Sequence, residues 1–414
     1  MVQAVSEGDI PGKIARIFDD AQYKTLSGAK ALCGQASLNG QPLFFFATDP
    51  GHARGAIGVA DGEALLWVIG QARERRRPMV WLLDCSGAKV DEGLPALAAF
   101  RRFYREALLA KADGIPILAV LGRGCYGGAS LLAMLASHRI YSAATRLSTS
   151  GPSIIESVEG RAVFDSTDPI AVSALLGASA RLQTDRHGEL DDDMKGAIGR
   201  WLAQPKSAND GRHDHVMLEE RLSAVPQAPD YRHKLQTLLP PSYTAAQRGN
   251  IVFSFPAPAS RKAVFCGFLS GGAFGATDSW QLADLVREVA HSHPASPVIL
   301  LLDASGHAAK VADEKALLAE YLVHLCVGIR NLAARGHKTV LWITGGASGA
   351  VYVVFAAAVE RVSVLTSARV EVLGSAAVNS ILGRPVAGAS TAAQLLELGI
   401  AEGVLDSRLE NYPS

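Results

Sequence analysis

LAVLGRGCYGGASLLAMLASHRIYSA, residues 118–143, and TVLWITGGASGAVYVVFAAAVERVSVL, residues 339–365, decide how this 414-residue chain folds. Each reads as an apolar strand, a run of glycines, a helix of small residues and a second strand. The two match in type and order, and Arg139 precedes Arg361 by 222 positions. Two further blocks recur at nearly the same spacing. RGAIGVAD (54–61) matches GGAFGATD (271–278), with 217 positions from Gly55 to Gly272. WLLDCSGAKVDE (81–92) matches LLLDASGHAAKVADE (300–314), with 219 positions from Asp84 to Asp303. Three blocks in one order at a nearly constant offset imply a tandem of two homologous halves.

Strands that are apolar throughout and end in Asp, PMVWLLD and PVILLLD, alternate with amphipathic helices expected at 94–112 and 314–335. That is the pattern of an α/β fold with covered, parallel sheets. The stretch from 204 to 250 is polar and contains proline, so residues 204–240 are expected to be a linker at the end of an N-terminal domain, 1–240, followed by a C-terminal domain, 241–414.

Composition excludes several classes. Lys plus Arg and Asp plus Glu are 40 each, which leaves no net charge and no basic stripe for a phosphate backbone, so nucleic acid is not an expected partner. Hydrophobic residues at 49% against charged residues at 19% exclude a disordered chain. Five scattered cysteines and an N-terminus, MVQAVSEGDIPGK, without an apolar signal core lead to an expected cytoplasmic location. Thr339 to Val359 carries no charge and is long enough to span a membrane. The small residues Gly345 to Gly349 in its middle divide it into a strand and a helix, so no membrane association is expected.

Gly122-Arg123-Gly124-Cys125-Tyr126-Gly127 fits the dinucleotide fingerprint G-x-G-x-x-G, but no carboxylate follows until Glu156, well beyond the position that would hold a ribose. Gly346-Ala347-Ser348-Gly349-Ala350 is one substitution from a serine nucleophile elbow, yet the aligned residue of the first half is Tyr126. Glycine and backbone are what the halves share. A helix N-terminus offers unpaired N–H groups and partial positive charge, and glycine admits a ligand to them. Paired with an N–H of the RGAIG or GGAFG turn, it would form an oxyanion hole for a thioester carbonyl becoming an enolate.

These segments resemble the carboxyltransferase branch of the crotonase superfamily. KIARIFDDAQYKTLSG is similar to its N-terminal helix, LNGQPLFFFATDPGHARGAIGVADGEAL to its first strands and glycine turn, and DCSGAKVDEG to its DSGGAR(I/L)QEG segment. Within that branch, GCYGGAS and STSGPSIIESVEGRAVFDSTDP resemble the β subunits of biotin-independent malonate decarboxylases, and LLDASGHAA with ARGHKTVLWITGGASGA resembles their γ subunits. The resemblance implies a crotonase-like spiral of ββα units in each half and acyl thioester substrates. It further implies a malonyl group carried by an acyl-carrier subunit with a CoA-like prosthetic arm, no tightly bound cofactor, and a homo-oligomeric or multi-subunit assembly. Two residues depart from the family pattern: its Arg is Lys89 and its Ser is Cys85, so a bidentate carboxylate fork becomes a point charge. No CxxC pair offers the zinc ribbon of some relatives.

Decarboxylation of a malonyl thioester requires an oxyanion hole, an orienter for the carboxylate and a proton donor to carbon. The expected holes are backbone N–H groups of Ala56 or Ile57 with Gly128, and of Ala273 or Phe274 with Gly349 or Ala350. Lys89 is the expected carboxylate or phosphate orienter. His307, just after a strand, and Tyr126 are the candidate proton donors. Gly127, Ser305, Gly306 and Ser348 are expected to line the substrate. Cys125 has no basic neighbour to activate it. His213 and His215 are expected at the surface of the linker. The leading expectation is malonyl-thioester decarboxylation; a biotin-dependent carboxyltransferase component and a non-catalytic assembly paralogue are the alternatives.

Overall fold

The computed structural model describes residues 9–204, 214–222, 228–257, 260–373 and 390–405. The chain forms two compact units, 1–212 and 213–414. In the first, helix α1 (Ile10–Ile17) precedes strands β1 (Asp20–Lys24), β2 (Leu32–Leu38) and β3 (Gln41–Ala47). Then come α2 (Val59–Arg75), β4 (Met79–Cys85), α3 (Leu94–Ala112), β5 (Ile117–Tyr126), α4 (Gly128–Leu135), β6 (His138–Tyr141) and β7 (Arg146–Ser148). Helices α5 to α8 (Pro152–Glu159, Pro169–Leu176, Ala178–Arg181, Met194–Ala203) and strand β8 (Gly188–Leu190) complete the unit. The sheet runs β1-β2-β3-β4-β5-β6-β8, antiparallel over the first three strands and parallel from β3 onward, with Phe46 opposite Trp81 and Trp81 opposite Ala119.

Phe45, Val80, Leu82, Leu118 and Val120 join Ile14, Ile198 and Trp201 in one core, while their strand neighbours Phe44, Phe46, Trp81 and Ala119 are buried as well. Burial on both faces is why these strands read as unbroken apolar runs. Each large side chain so removed from water contributes about 1.5 to 3 kcal/mol to the unit's stability.

The second unit repeats the order. Helices α9 (His215–Glu220) and α10 (Arg232–Leu238) lead to the antiparallel strands β9 (Ala246–Arg248), β10 (Ile251–Ser254) and β11 (Val264–Phe268). Then follow β12 (Ala273–Phe274), α11 (Ala276–Ser292), β13 (Val298–Leu302), β14 (Gly306–His307), α12 (Val311–Lys315), α13 (Leu318–Ala334) and β15 (Thr339–Ile343). The unit continues through β16 (Gly346–Ser348), α14 (Gly349–Ala358), β17 (Arg361–Leu365), β18 (Arg369–Glu371), α15 (Ala392–Glu397) and β19 (Gly403–Leu405). Its sheet order is β19-β17-β15-β13-β11-β10-β9.

Each unit also carries a layer of short parallel pairings beside the long strands. In the second they are β12 with β14 and β16 with β18; in the first they are the Ile57–Ala88 bridge and the end of β5 with β7. A long strand, a short strand and a helix thus recur as one ββα step, as the resemblance implies. No described helix is long and apolar enough to cross a membrane, and Thr339–Val359 is divided as expected into β15, β16 and α14.

The stretch expected as a linker differs from that expectation. The described parts of this stretch after residue 213, 214–222 and 228–240, pack with the second unit, because Leu218 and Leu235 are fully buried and the Tyr321 hydroxyl donates to the Leu218 carbonyl at 2.7 Å. Leu235 and Leu239 share a core with Val252, Phe265 and Trp342, as Ile10, Ile14 and Ile17 share one with Leu43 and Phe45. Helix α10 is thus the counterpart of α1, and the second repeat starts before residue 240. Sparse apolar residues amid polar ones hid this helix.

Candidate active site

In both units an aspartate at the end of a strand holds the glycine turn. Asp84 accepts the N–H of Arg123 at 3.2 Å and of Gly124 at 3.1 Å; Asp303 accepts that of Gly346 at 2.8 Å. A side chain at Gly122 or Gly345 would collide with the respective carboxylate, and one at Gly124 would meet the ring of Tyr126. The first two glycines of the G-x-G-x-x-G match therefore serve a carboxylate-to-backbone lock. The turn then enters its helix through a left-handed glycine, Gly127 (φ +57°) or Gly349 (φ +50°). The first N–H groups of α4 and α14 are left without an intrahelical acceptor.

Gly87, which sequence reasoning missed, sits against this helix end in the first unit. Its φ is +107°, and a Cβ there would lie 3.1 Å from the Tyr126 carbonyl oxygen and 3.7 Å from the Gly128 nitrogen. The Gly87 carbonyl accepts the Ile57 N–H at 2.9 Å, so the Gly55–Gly58 turn, the Cys85–Lys89 turn and the helix N-terminus meet here. The only sequence signal for Gly87 was its place in DCSGAK.

Two expected donors are engaged in this geometry. The Ile57 N–H is spent on Gly87, and the Ala56 N–H turns back to the Ala53 carbonyl at 3.1 Å. The cause is a left-handed run, Ala53, Arg54 and Gly55 at φ +47°, +53° and +70°. Such a conformation costs about 1 to 3 kcal/mol at each non-glycine residue and persists only where neighbours enforce it; here Ser86 N–H donates to the Arg54 carbonyl at 3.0 Å. Gly128 itself is glycine for packing, since the ring of Phe100 fills the space a side chain there would need.

Lys89 is not a lone charge. Its ammonium lies 2.9 Å from Glu92 Oε1, and this hydrogen bond raises its pKa. Glu92 also accepts the Val59 N–H at 2.7 Å, capping α2, and Asp313 accepts the Ala276 N–H at 2.7 Å in the same role on α11. Both capping acids went unnoticed in the sequence. Tyr126 is partly buried, and burial raises its phenol pKa, so its hydroxyl keeps its proton. Burial likewise raises Cys125 well above the ordinary thiol range and Cys85 to about 12, which makes both inert.

The second unit gathers Ser305, Gly306, His307, Ser348 and Gly349. The Ser348 hydroxyl donates to the Ser305 carbonyl at 2.9 Å, and Gly306 (φ +141°) has no room for a side chain against that hydroxyl. Ser348 is extended, with φ −146° and ψ 155°, so the strained turn of a nucleophile elbow is absent at this serine. His307 pairs with Phe274 across the β12–β14 ladder, and Phe274 is fixed edge-on against Phe268 and Phe355. Ala273, beside it, is exposed. Burial depresses the His307 pKa to about 4, so the imidazole is uncharged at neutral pH and is no imidazolium acid.

His215 differs from the expected surface residue. It stacks on Trp280 with ring centroids 4.9 Å apart and contacts His324 at 3.0 Å and Asp284 at 3.2 Å. His213 lies outside the described residues. Among the described residues, no group of three His, Cys, Asp or Glu is placed to hold a metal ion.

Comparison with known proteins matches residues 15–240 to the carboxyl transferase domain and residues 270–406 to the malonate decarboxylase gamma subunit. The chain belongs to the carboxyl transferase domain family. Curated relatives include the carboxyltransferase subunit of propionyl-CoA carboxylase from Haloferax mediterranei, 27% identical over 41% of this chain and 33% of the relative. Another is the acetyl-coenzyme A carboxylase carboxyl transferase subunit beta 1 of Roseiflexus castenholzii, 31% identical over 28% of this chain and 38% of the relative. The chain thus spans about a third of the length of these carboxyl transferase relatives. Among solved structures, a Pseudomonas malonate decarboxylase hetero-tetramer in complex with malonate is similar at 24% identity, covering 48% of this chain and 76% of that one, with a TM-score of 0.44. The transcarboxylase 12S hexamer core is similar at 18% identity over 96% of this chain and 86% of that one, with a TM-score of 0.39.

Proposed function

We propose that this carboxyl transferase family member decarboxylates a malonyl thioester. One observation carries the reading: a carboxyl transferase domain match and a malonate decarboxylase gamma subunit match lie in tandem on one chain. The meeting of three turns at the α4 N-terminus supports it. There the nitrogen of Gly128 lies beside the Gly87 turn, and the Ala56 N–H, held only by the strained Ala53 turn, is the donor that a bound carbonyl oxygen would draw away.

In the step that follows, the bond between the α-carbon and the carboxylate breaks. Its electron pair forms the enolate double bond, the thioester oxygen takes the negative charge, and CO2 departs. Helix-terminal N–H groups stabilise that charge because they are fixed before it develops. The enolate carbon then takes a proton to give the acetyl thioester. Tyr126, whose hydroxyl retains its proton, is the donor in the first unit; neutral His307 offers a hydrogen bond in the second. Lys89, oriented by Glu92, would guide the substrate carboxylate. The acyl group is proposed to arrive on a carrier subunit with a CoA-like arm, the chain acting within a multi-subunit or homo-oligomeric assembly in the cytoplasm.

The second reading, a carboxyltransferase component of a biotin-dependent enzyme, is favoured by the curated relatives, which are subunits of acyl-CoA carboxylases. Incubation with a malonyl pantetheine thioester separates the two: acetyl thioester identified by mass spectrometry without added biotin supports decarboxylation, and recovery of intact substrate contradicts it.

A further inference from the structure

The two units hold equivalent lysines differently. Lys13 on α1 and Lys234 on α10 stand 221 positions apart, within the repeat's offset, and each approaches the strand-end aspartate of its own unit. In the second unit the arrangement is closed: Lys234 Nζ donates to the Leu269 carbonyl at 2.8 Å and lies 3.8 Å from Asp303 Oδ2. In the first it is open. A cavity of about 50 Å³ separates the corresponding groups, lined by Lys13, Thr48 and Asp84 with Ile10, Ile14 and Leu82. At about 10 to 15 Å³ for one water-sized group, it has room for three or four heavy atoms.

Its chemistry calls for a ligand that both accepts and donates. Lys13 is half-buried and its ammonium makes no hydrogen bond to the described residues, so an acceptor held in the cavity would gain one from it. Burial lowers its pKa, Asp84 raises it and Arg16 lowers it further. Thr48 is committed, since its hydroxyl donates to the Asp84 carbonyl oxygen at 3.0 Å and accepts the Asp84 N–H at 2.9 Å. The Asp84 carboxylate accepts one N–H on each oxygen and keeps lone pairs to spare.

We propose that the cavity between Lys13 and Asp84 binds a small protonated oxyanion of the hydrogencarbonate class, its oxygens accepting from Lys13 Nζ and its O–H donating to the Asp84 carboxylate. A plain carboxylate or halide would satisfy the lysine but would face the aspartate with a second negative charge. The occupant reports to the glycine turn, because Asp84 holds Arg123 and Gly124 ahead of α4. The choice of hydrogencarbonate rests on the reading of this chain as an enzyme that releases CO2; the test measures binding alone, so either claim can fail without the other.

The full chain is labelled with a limiting amine-acetylating reagent in hydrogencarbonate, formate or chloride at matched ionic strength and constant pH, and the labelling rate of each lysine is read by peptide mass spectrometry. Hydrogencarbonate should slow labelling of Lys13 several-fold and leave exposed Lys24 unchanged, while formate and chloride protect neither. The ¹³C line of labelled hydrogencarbonate should broaden with the native chain and not with folded Lys13→Met. If that variant does not fold, protection in the native chain decides. No protection, equal protection by formate or chloride, or a new carbamate resonance showing Lys13 itself modified would each overturn the proposal.

Discussion

The ring of Phe100, on α3, fills the space into which a side chain at Gly128 would project. The glycine that opens α4 is thus required by helix packing as well as by the access it gives to the helix N-terminus. Gly128→Ala should destabilise the chain by about 1 to 3 kcal/mol through overpacking. Adding Phe100→Leu should recover a good part of that loss in denaturant unfolding. Simple additivity of the two substitutions would show that the ring is not what the new methyl group meets.

Gly87→Ala tests the meeting of the turns. A methyl group at φ +107° would press on the Tyr126 carbonyl and displace the turn that holds Ile57. Turnover should fall by about 100- to 1000-fold, the loss typical of a misplaced oxyanion donor. Gly306→Ala, which crowds the Ser348 hydroxyl, is the matching change in the second unit. Unchanged turnover in folded Gly87→Ala would remove this junction from the active site.

His307 gives a pH signature. Its folded pKa of about 4 lies below the ordinary imidazole value of 6.5, so the unfolded chain binds the proton more readily. The associated stability is fully present above pH 6.5 and is lost as pH falls toward 4, by about 3 kcal/mol. Asp185 acts in a lower window: burial opposes its ionisation, but Arg139 and Tyr141 hold its pKa near 2, so its contribution is lost only below about 3.8. His307→Gln should flatten the stability profile between 6.5 and 4 and leave the steeper acid limb in place. Denaturant midpoints across pH measure both.

Much of the fold was legible because repetition in sequence reflects repetition in space. The offsets at Asp84 and Asp303 mark the same carboxylate lock, and Gly127 and Gly349 the same left-handed turn. Helix α10 was not legible, since its two leucines, buried Leu235 and half-buried Leu238, stand among Lys, Gln, Arg and His. The site was read only in part. Glycine positions can be seen in a sequence, but where a backbone N–H points cannot, so the engagement of Ala56 and Ile57 and the Phe100 requirement at Gly128 emerged only with the fold. Nor does sequence distance disclose pairs such as His215 with His324.

Lys89→Met should leave stability within about 1 kcal/mol, because the ion pair with Glu92 is a third exposed and screened by solvent. If the ammonium guides the substrate carboxylate, KM for a malonyl thioester rises while kcat changes less, and Lys89→Arg restores binding. Glu92→Gln should cost about 0.5 to 2 kcal/mol through the weakened cap on α2. Steady-state kinetics and thermal unfolding of the three variants separate the roles.

The most direct test of the account is release of labelled CO2 from a carboxyl-labelled malonyl thioester on its carrier, measured with and without avidin. Decarboxylation by this chain predicts CO2 and acetyl thioester in equal amounts, at a rate avidin does not change. Release that stops with avidin and returns with added biotin would contradict the account and assign the chain to biotin-dependent carboxyl transfer.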